Sequence, residues 1–441
     1  LGMHYVEAST LGTPVTSVAR PRLYAWLVFA LTFGLLLSDY MSRQVLNAVF
    51  PLLKAEWGLS DTQLGSLSGV VALLVGVLTF PLSVMADRWG RVRSILLMAT
   101  LWSLATLGCA ISTNYGQMLT ARFFVGLGEA AYGSVGIALI IGIFPSHLRS
   151  TLTGAFMAGG AFGSVVGMAL GGVFAARFGW RSAFVAMAIF GAALVVTYAL
   201  TVNERRMRGS ATGTTEPREI RPGFRLSLRN LFAGLFSTTS VICAYIGSGL
   251  QLFIMAAVIA WMPSYLNRYY AMQPDKAGVT AAVFVLIGAI GMVVCGAVTD
   301  RVCRHSPPRK MAMAIVYCLT TAAILGVAFQ MTPGASQLIA IGLGMFLVAG
   351  TCGPAGAMVA NLTPTPIHAT AFATLTLANN LLGLAPGPLL TGVLADHVGL
   401  LDAFKLIPLM ALFAALAFWI GRAHYADDID RVRAPTLATE A

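Results

Sequence analysis

Apolar residues dominate the chain in long runs, and polar residues gather in short stretches between them. A spanning helix needs ~20 apolar residues to cross ~30 Å of hydrocarbon. Runs of that length fall at 23–50, 62–86, 94–113, 117–143, 150–175, 181–202, 234–265, 277–299, 311–331, 337–361, 367–393 and 402–422. No strand-like alternation breaks them. In lipid only helices or closed barrels satisfy every backbone group. The pattern therefore predicts an all-α membrane protein with twelve transmembrane helices.

Most connections are short. The exception is 204–230, which follows Asn203, opens Glu204-Arg205-Arg206 and contains Gly213, Pro217 and Pro222. It is polar and basic, and it lacks apolar periodicity, so it reads as a linker. The expected organisation is a tail at 1–22, a six-helix bundle at 23–203, the linker at 204–230, a second bundle at 231–422 and a tail at 423–441. The stretch to Arg22 has no apolar core with a small-residue cleavage site, so it does not read as a signal peptide.

The two bundles echo each other. Gly167-Met168-Ala169-Leu170-Gly171-Gly172-Val173 opens a run that ends at Gly179 and continues to Ala183-Phe184. Gly387-Pro388-Leu389-Leu390-Thr391-Gly392-Val393 opens a run that ends at Gly399 and continues to Ala403-Phe404, with the same internal spacing. Asp87-Arg88 and Asp300-Arg301 each follow an apolar span. Parallel six-helix repeats around a midplane site are a transporter design.

Composition agrees with a membrane protein. The chain is 57% hydrophobic and only 10% charged, too few charges to face water as a soluble domain. Its net charge of +11 lies in the loops, without the basic stripe and exposed aromatics that nucleic acid requires. Lys and Arg number 20 on the side of the termini and linker and 6 on the other, with Arg43 and Arg122 inside spans. That bias predicts an inner-membrane protein with both termini in the cytoplasm. Most of the cysteines sit in apolar runs, without metal-like spacing, and the histidines lie at loops or span ends. No metal or cofactor is expected.

The loop after the second span reads Ser83-Val84-Met85-Ala86-Asp87-Arg88-Trp89-Gly90-Arg91-Val92-Arg93. It resembles the signature loop of the major facilitator superfamily, Gly-x-Leu-Ala-Asp-Arg-x-Gly-Arg-Arg, with Ser83 in place of Gly and Met85 in place of Leu. The resemblance implies the major facilitator fold, two pseudo-symmetric six-helix bundles, and a monomer as the working unit. Asp87 can take charge-assisted bonds from Arg88, Arg91 or a helix N-terminus. Asp87, Arg88, Gly90 and Arg91, with Asp300 and Arg301, form a candidate conformational latch. The alternative is a plain topology signal.

Four ionisable residues fall well inside the spans: Asp39 and Arg43 on the first, Arg122 and Glu129 on the fourth. Charges at that depth are costly and mark function. Spacings of four and seven residues put each pair on one helix face. At ~1.5 Å per residue, Arg43 lies ~6 Å and Arg122 ~10 Å outward of its acid. If the faces converge, an acidic layer underlies a basic one. A carboxyl in a low-dielectric cavity favours its protonated form and a nearby arginine the charged one, so rocking or substrate can load and release a proton. Asp39 and Glu129 are the candidates for proton coupling, Arg43 and Arg122 for an anionic substrate group. The alternative is two fixed structural ion pairs.

The run Arg122-Phe123-Phe124-Val125-Gly126-Leu127-Gly128-Glu129-Ala130-Ala131-Tyr132 is similar to the fourth helix of the spinster family, Arg-x-x-Val-Gly-x-Gly-Glu-Ala-x-Tyr. Asp39-Tyr40-Met41-Ser42-Arg43 resembles that family's Asn-Tyr-Met-Asp-Arg, with Ser42 at the acidic position and Asp39 at the Asn. The acid is displaced by almost one turn and keeps roughly the same face. The resemblance implies lysolipid- or sphingolipid-like cargo. Organic-anion symporters of the same superfamily share a similar fourth helix.

Gly154, Gly163, Gly167, Gly171 and Gly172 match the superfamily's antiporter signature, with Met168 where proline usually stands. Close helix packing explains them equally well. The second half offers no buried charge. Tyr40, Tyr132, Tyr245, Gln251, Trp261, Asn379 and Asn380 are the candidate cavity residues. The expected function is proton-coupled secondary transport, by alternating access, of a small anionic or amphiphilic solute, with protons and membrane lipids as further partners. An organic-anion symporter and a multidrug/proton antiporter are the alternatives within transport, and a non-transporting receptor the one outside it. Nothing in the chain suggests an enzyme: no nucleophile and base stand together at membrane depth.

Overall fold

The computed structural model describes residues 23–203, 236, 238–304, 309–363 and 368–440. The expected tail 1–22 and linker 204–230 lie outside the described residues. Among those described are twelve helices long and apolar enough to cross a membrane. The first half comprises α1 (Leu23–Trp57), α2 (Asp61–Trp89), α3 (Arg91–Ile111), α4 (Tyr115–Ile143), α5 (Thr151–Phe178) and α6 (Trp180–Thr201). The second comprises α7 (Thr239–Tyr270), α8 (Pro274–Val302), α9 (Arg309–Ala328), α10 (Ala335–Leu362), α11 (Thr370–Val398) and α12 (Leu400–Ile429). An even number of spans puts Leu23 and Ile429 on one face, called the terminal face below; the opposite is the far face.

Several helices outrun their apolar stretches. α1 continues through Pro51 to Trp57. The extension is held from outside: Trp57 packs edge-on against Trp180 at 5.2 Å, and Glu56 accepts from Trp180 Nε1 at 2.5 Å and Arg181 Nη1 at 2.7 Å. α7 continues through Pro263 to Tyr270, where Tyr265 packs against Phe404 at 5.2 Å and Phe329 at 6.0 Å. The helix of α12 runs on to Glu440, through most of the stretch expected as a tail.

Four spans are interrupted, α12 by a turn at Ile407-Pro408 between helices Leu400–Leu406 and Leu409–Glu440. The α-helix of α4 stops at Glu129 and restarts at Tyr132. α10 passes through a 3₁₀ turn at Ala349–Thr351, and α11 through a π turn at Asn380–Leu384. Such breaks are tolerated at membrane depth where a neighbour satisfies the freed carbonyls. Thr79 of α2 does so for α4, its hydroxyl donating to the Ala130 carbonyl at 2.6 Å.

The repeated glycines join the elements, and they do so in symmetry-related pairs. A Cβ on Gly167 would lie 2.5 Å from Met41 Cα on α1, and one on Gly387 would lie 2.7 Å from the Phe253 carbonyl on α7. A Cβ on Gly172 would lie 2.5 Å from the Pro274 carbonyl at the start of α8, and Gly392 meets the Asp61 carbonyl at the start of α2. The α5 glycines thus pack α1 and α8, which is the close-approach use of small residues. Gly179 and Gly399 end their helices with φ of 84° and 87°, a conformation that favours glycine.

The halves meet most tightly at the far face. Asp61 on α2 takes both terminal nitrogens of Arg268 on α7, at 2.6 and 2.8 Å, and Lys54 Nζ at 2.6 Å. Asp396 on α11 accepts the Asp61 and Thr62 amides at 2.7 and 2.8 Å, capping the first turn of α2 from the other half. Beneath these, Trp261 Nε1 donates to the Pro388 carbonyl at 2.9 Å, and its ring lies 5.3 Å from that of Phe50. On the terminal face, described ion pairs stay within a half: Asp87 with Arg91 at 3.7 Å, and Asp300 with Lys310 at 2.9 Å.

Gly65 sits where its Cβ would meet the Pro388 backbone, whereas Gly154 has nothing within 4 Å. Gly65→Ala is expected to destabilise the protein by about 1–3 kcal/mol through overpacking. Gly154→Ala should be neutral or stabilising by about 0.5–1 kcal/mol. Thermal unfolding of the two variants in detergent measures the difference.

Candidate functional site

The site starts from a helical register. Asp39 and Arg43 lie one turn apart on α1, and Arg43 Nε donates to Asp39 Oδ1 at 3.1 Å. Glu129 closes the first segment of α4, and its Oε2 lies 2.7 Å from Arg43 Nε. The single Nε–H points to Asp39, so the Glu129 contact is ionic. Glu129 Oε1 instead lies 3.0 Å from the Ser42 hydroxyl, whose one proton is shared with the Asp39 carbonyl at 2.8 Å. One guanidinium thus sits between two carboxylates from two helices.

The expected faces converge, but the two arginines do different things. Arg122 is 1% exposed, and donates to the Leu67 carbonyl from Nε at 3.2 Å and to the Ser42 carbonyl from Nη1 at 3.1 Å. It ties α4 to α1 and α2 through backbone, and no described ion pair joins it to Glu129. Arg43 has a side chain 20% exposed, with its guanidinium carbon 5.0 Å from the centre of the Tyr40 ring. The carboxylates behind it are closed off, Asp39 at 3% and Glu129 at 0% side-chain exposure.

A cavity of about 320 Å³ lies between the halves. Tyr40, Arg43, Gln44, Asn47, Ser68 and Arg122 line it from α1, α2 and α4. The second half contributes an apolar wall that includes Met255, Ile259, Val285 and Met292. Arg43 therefore stands between the cavity and the two acids. An anion entering the cavity meets the Arg43 guanidinium, behind which Glu129 and Asp39 lie buried.

Of the other sequence candidates, Tyr40 lines the cavity. Tyr132 is buried within the first half, its hydroxyl donating to the Thr32 carbonyl at 2.6 Å. Trp261 belongs to the seal between the halves. Tyr245 and Gln251 are buried in the second half, outside the cavity lining. Asn380 packs its Cβ against Gly76 on α2 and donates to the Thr376 carbonyl at 2.9 Å; Asn379 precedes it at the start of the π turn. In the loop after α2, Arg91 Nη1 donates to the Ala138 carbonyl at 2.7 Å, and Gly90 has a φ of 96°. Arg88 and Arg301 are exposed. Sequence reasoning missed Ser42 as a partner of Glu129, the polar lining at Gln44, Asn47 and Ser68, and the Lys54–Asp61–Arg268 cluster. Asn47 was within reach, since it follows Arg43 by one turn on the same face.

Twelve spans in two repeated halves, enclosing a cavity edged by a buried charge cluster, define a membrane transporter. The Major Facilitator Superfamily profile matches residues 32–386 and 244–436, and the chain belongs to that superfamily. It is 23% identical to the hexuronate transporter of Bacillus subtilis, over 86% of this chain and 90% of the relative. It is 26% identical to the gallate transporter of Pseudomonas putida, over 89% and 91%. It is also 26% identical to a sphingosine-1-phosphate transporter of Danio rerio, over 83% and 75%. In fold it is similar to a bacterial homologue of the human lysosomal transporter spinster, with a TM-score of 0.82, 18% identity, and 93% of this chain and 99% of that one covered.

Arg43→Ala leaves two buried carboxyls without their cation, and protonating either one relieves the cost of a buried unpaired charge in the folded variant. Its melting temperature should rise relative to the parent's as pH falls from about 8 to about 5. Arg43→Lys should remove most of that dependence. A Arg43→Ala protein whose stability tracks the parent across that range would contradict the electrostatic role.

Proposed function

We propose that the chain is a proton-coupled secondary transporter that carries a compact organic anion by alternating access between its two halves, 23–203 and 231–422. The observation that carries this reading is the position of Arg43, paired to Asp39 and Glu129 on one side and open to the cavity on the other. An anion that draws the guanidinium forward weakens its hold on the carboxylates. A carboxylate so released at low dielectric takes a proton, and it gives the proton up when Arg43 returns. Substrate and proton are then loaded together without new charge being buried, which is the economy a symporter needs. The ionic contact to Glu129, with its second oxygen beside the Ser42 hydroxyl, makes Glu129 the leading coupling residue, and Asp39 the second. Arg122, bound to two carbonyls, contributes a fixed positive field.

The named relatives support an anionic cargo: hexuronate and gallate are carboxylates, and sphingosine-1-phosphate is a phosphate. A cavity of about 320 Å³ is at the small end for a ligand site and favours a compact molecule over a long-chain lipid. The charge bias of the loops supports an inner-membrane protein with cytoplasmic termini, whose cavity in this conformation is sealed at the periplasmic face, and membership of the superfamily supports a monomer.

The test is transport into liposomes that hold a pH dye. Organic acids and lysolipids are added one at a time, and each hit is repeated with Glu129→Gln. Cargo-driven acidification should fall to the level of empty liposomes in the variant while binding persists. Cargo uptake with no proton movement, or a variant equal to the parent, would sink the coupling scheme.

A further inference from the structure

The two walls of the cavity differ in kind. On the first half, Arg43 supplies a cation, and Asn47 and Gln44 supply neutral hydrogen-bonding groups from the same face of α1. Asn47 Nδ2 donates to Gln44 Oε1 at 2.8 Å, which uses one end of each amide. The other end of Asn47, Oδ1, is buried and has no partner. A buried carbonyl oxygen without a donor costs about 1–3 kcal/mol, which a ligand hydroxyl would recover. Ser68 adds a hydroxyl at the same wall. On the second half, Met255, Ile259, Val285, Met292, Leu384 and Pro388 present no polar side-chain donor at all.

Resting on the organic-anion reading, we infer that the substrate is a hydroxylated aromatic carboxylate, and that Asn47 reads its ring hydroxyl while Arg43 holds its carboxylate. Such a molecule keeps its polar groups in the plane of the ring, at opposite edges, and offers apolar faces to either side. Arg43 and Asn47 are one turn apart, about 6 Å along α1, comparable to the separation of the carboxylate carbon and the hydroxyl oxygen on a para-substituted ring. The faces fit the second wall, where the thioethers of Met255 and Met292, with Met157 from the first half, are suited to sulfur–aromatic contact. A sugar acid carries hydroxyls on every side and would strand some of them against that wall. A plain aliphatic acid would leave Asn47 Oδ1 unpaired.

Calorimetric titration of the full-length protein in nanodiscs tests this with four probes: 4-hydroxybenzoate, benzoate, cyclohexanecarboxylate and gluconate. The expected order places 4-hydroxybenzoate about tenfold tighter than benzoate, the worth of one buried hydrogen bond. Gluconate should be the weakest. Asn47→Ala should bring the ratio of 4-hydroxybenzoate to benzoate affinity close to one. The ranking on the parent protein stands as a test by itself if that variant does not fold. Gluconate or cyclohexanecarboxylate binding as tightly as 4-hydroxybenzoate, with loss in Arg43→Ala, overturns the aromatic assignment and leaves the anion reading intact. Failure of all four to bind overturns both. A Asn47→Ala protein that keeps the tenfold ratio removes Asn47 from the role.

Discussion

A guanidinium and two carboxylates buried at membrane depth cannot be relaxed by bulk water, so their mutual geometry has to be supplied by packing. Here the packing comes from four directions. α1 carries Asp39, Ser42 and Arg43 within a little over one turn, so their relative positions follow from the helix itself. α4 brings Glu129 to them, and Arg122 fixes the approach by donating to the carbonyls of Ser42 and Leu67. α5 presses its glycines against α1 at Met41 and Val45, which leaves that helix little room to turn. The break in α4 directly after Glu129 frees the Ala130 carbonyl, to which the Thr79 hydroxyl donates, tying α2 to the same place. Removing one partner of such a cluster is costlier than the pair is worth, because a buried charge is left behind.

The spans and the division into halves were legible because both rest on features that repeat along the chain: apolar length, loop charge and the Gly167/Gly387 echo. The echo carried more than symmetry. Residues that correspond between the copies make corresponding contacts, Gly172 with the start of α8 and Gly392 with the start of α2. The same runs that looked like an antiporter signature therefore have a packing role in full view. The buried charges were legible because intramembrane charge is rare, and so each one could be singled out.

What escaped the sequence was partnership. Arg122 was paired with Glu129 on paper by spacing along one helix, but its hydrogen bonds go to carbonyls of two other helices, and carbonyls have no sequence signature. The helix break at Ala130-Ala131 has no proline or local turn residue to announce it. Lys54, Asp61 and Arg268 border the spans, where a charge is expected for topology alone, so their convergence across the halves was hidden by a sufficient simpler explanation. Trp261 was chosen for its polar edge, and that edge is spent on the Pro388 carbonyl within the seal.

The placement of charge has a consequence for the proposed cycle. Asp39, Arg43, Arg122 and Glu129 all belong to the first half, and the wall that faces them is apolar. Rocking one half against the other can then change which solvent reaches Arg43 while the distances among the four groups stay as the first bundle sets them. A cluster split between the halves would have to break its ion pairs at every turnover, at a cost that grows as the dielectric falls. The pairs that do cross the halves, Asp61 with Arg268 and Asp396 with the α2 amides, lie at the far face, where Lys54 and Arg268 retain partial solvent exposure and water can take over their contacts as that face opens. The pairs of the charge cluster are thus kept within one body, and those that the proposed cycle must break lie where water reaches them, an arrangement that lets the far face open without disturbing the cluster proposed to handle the proton.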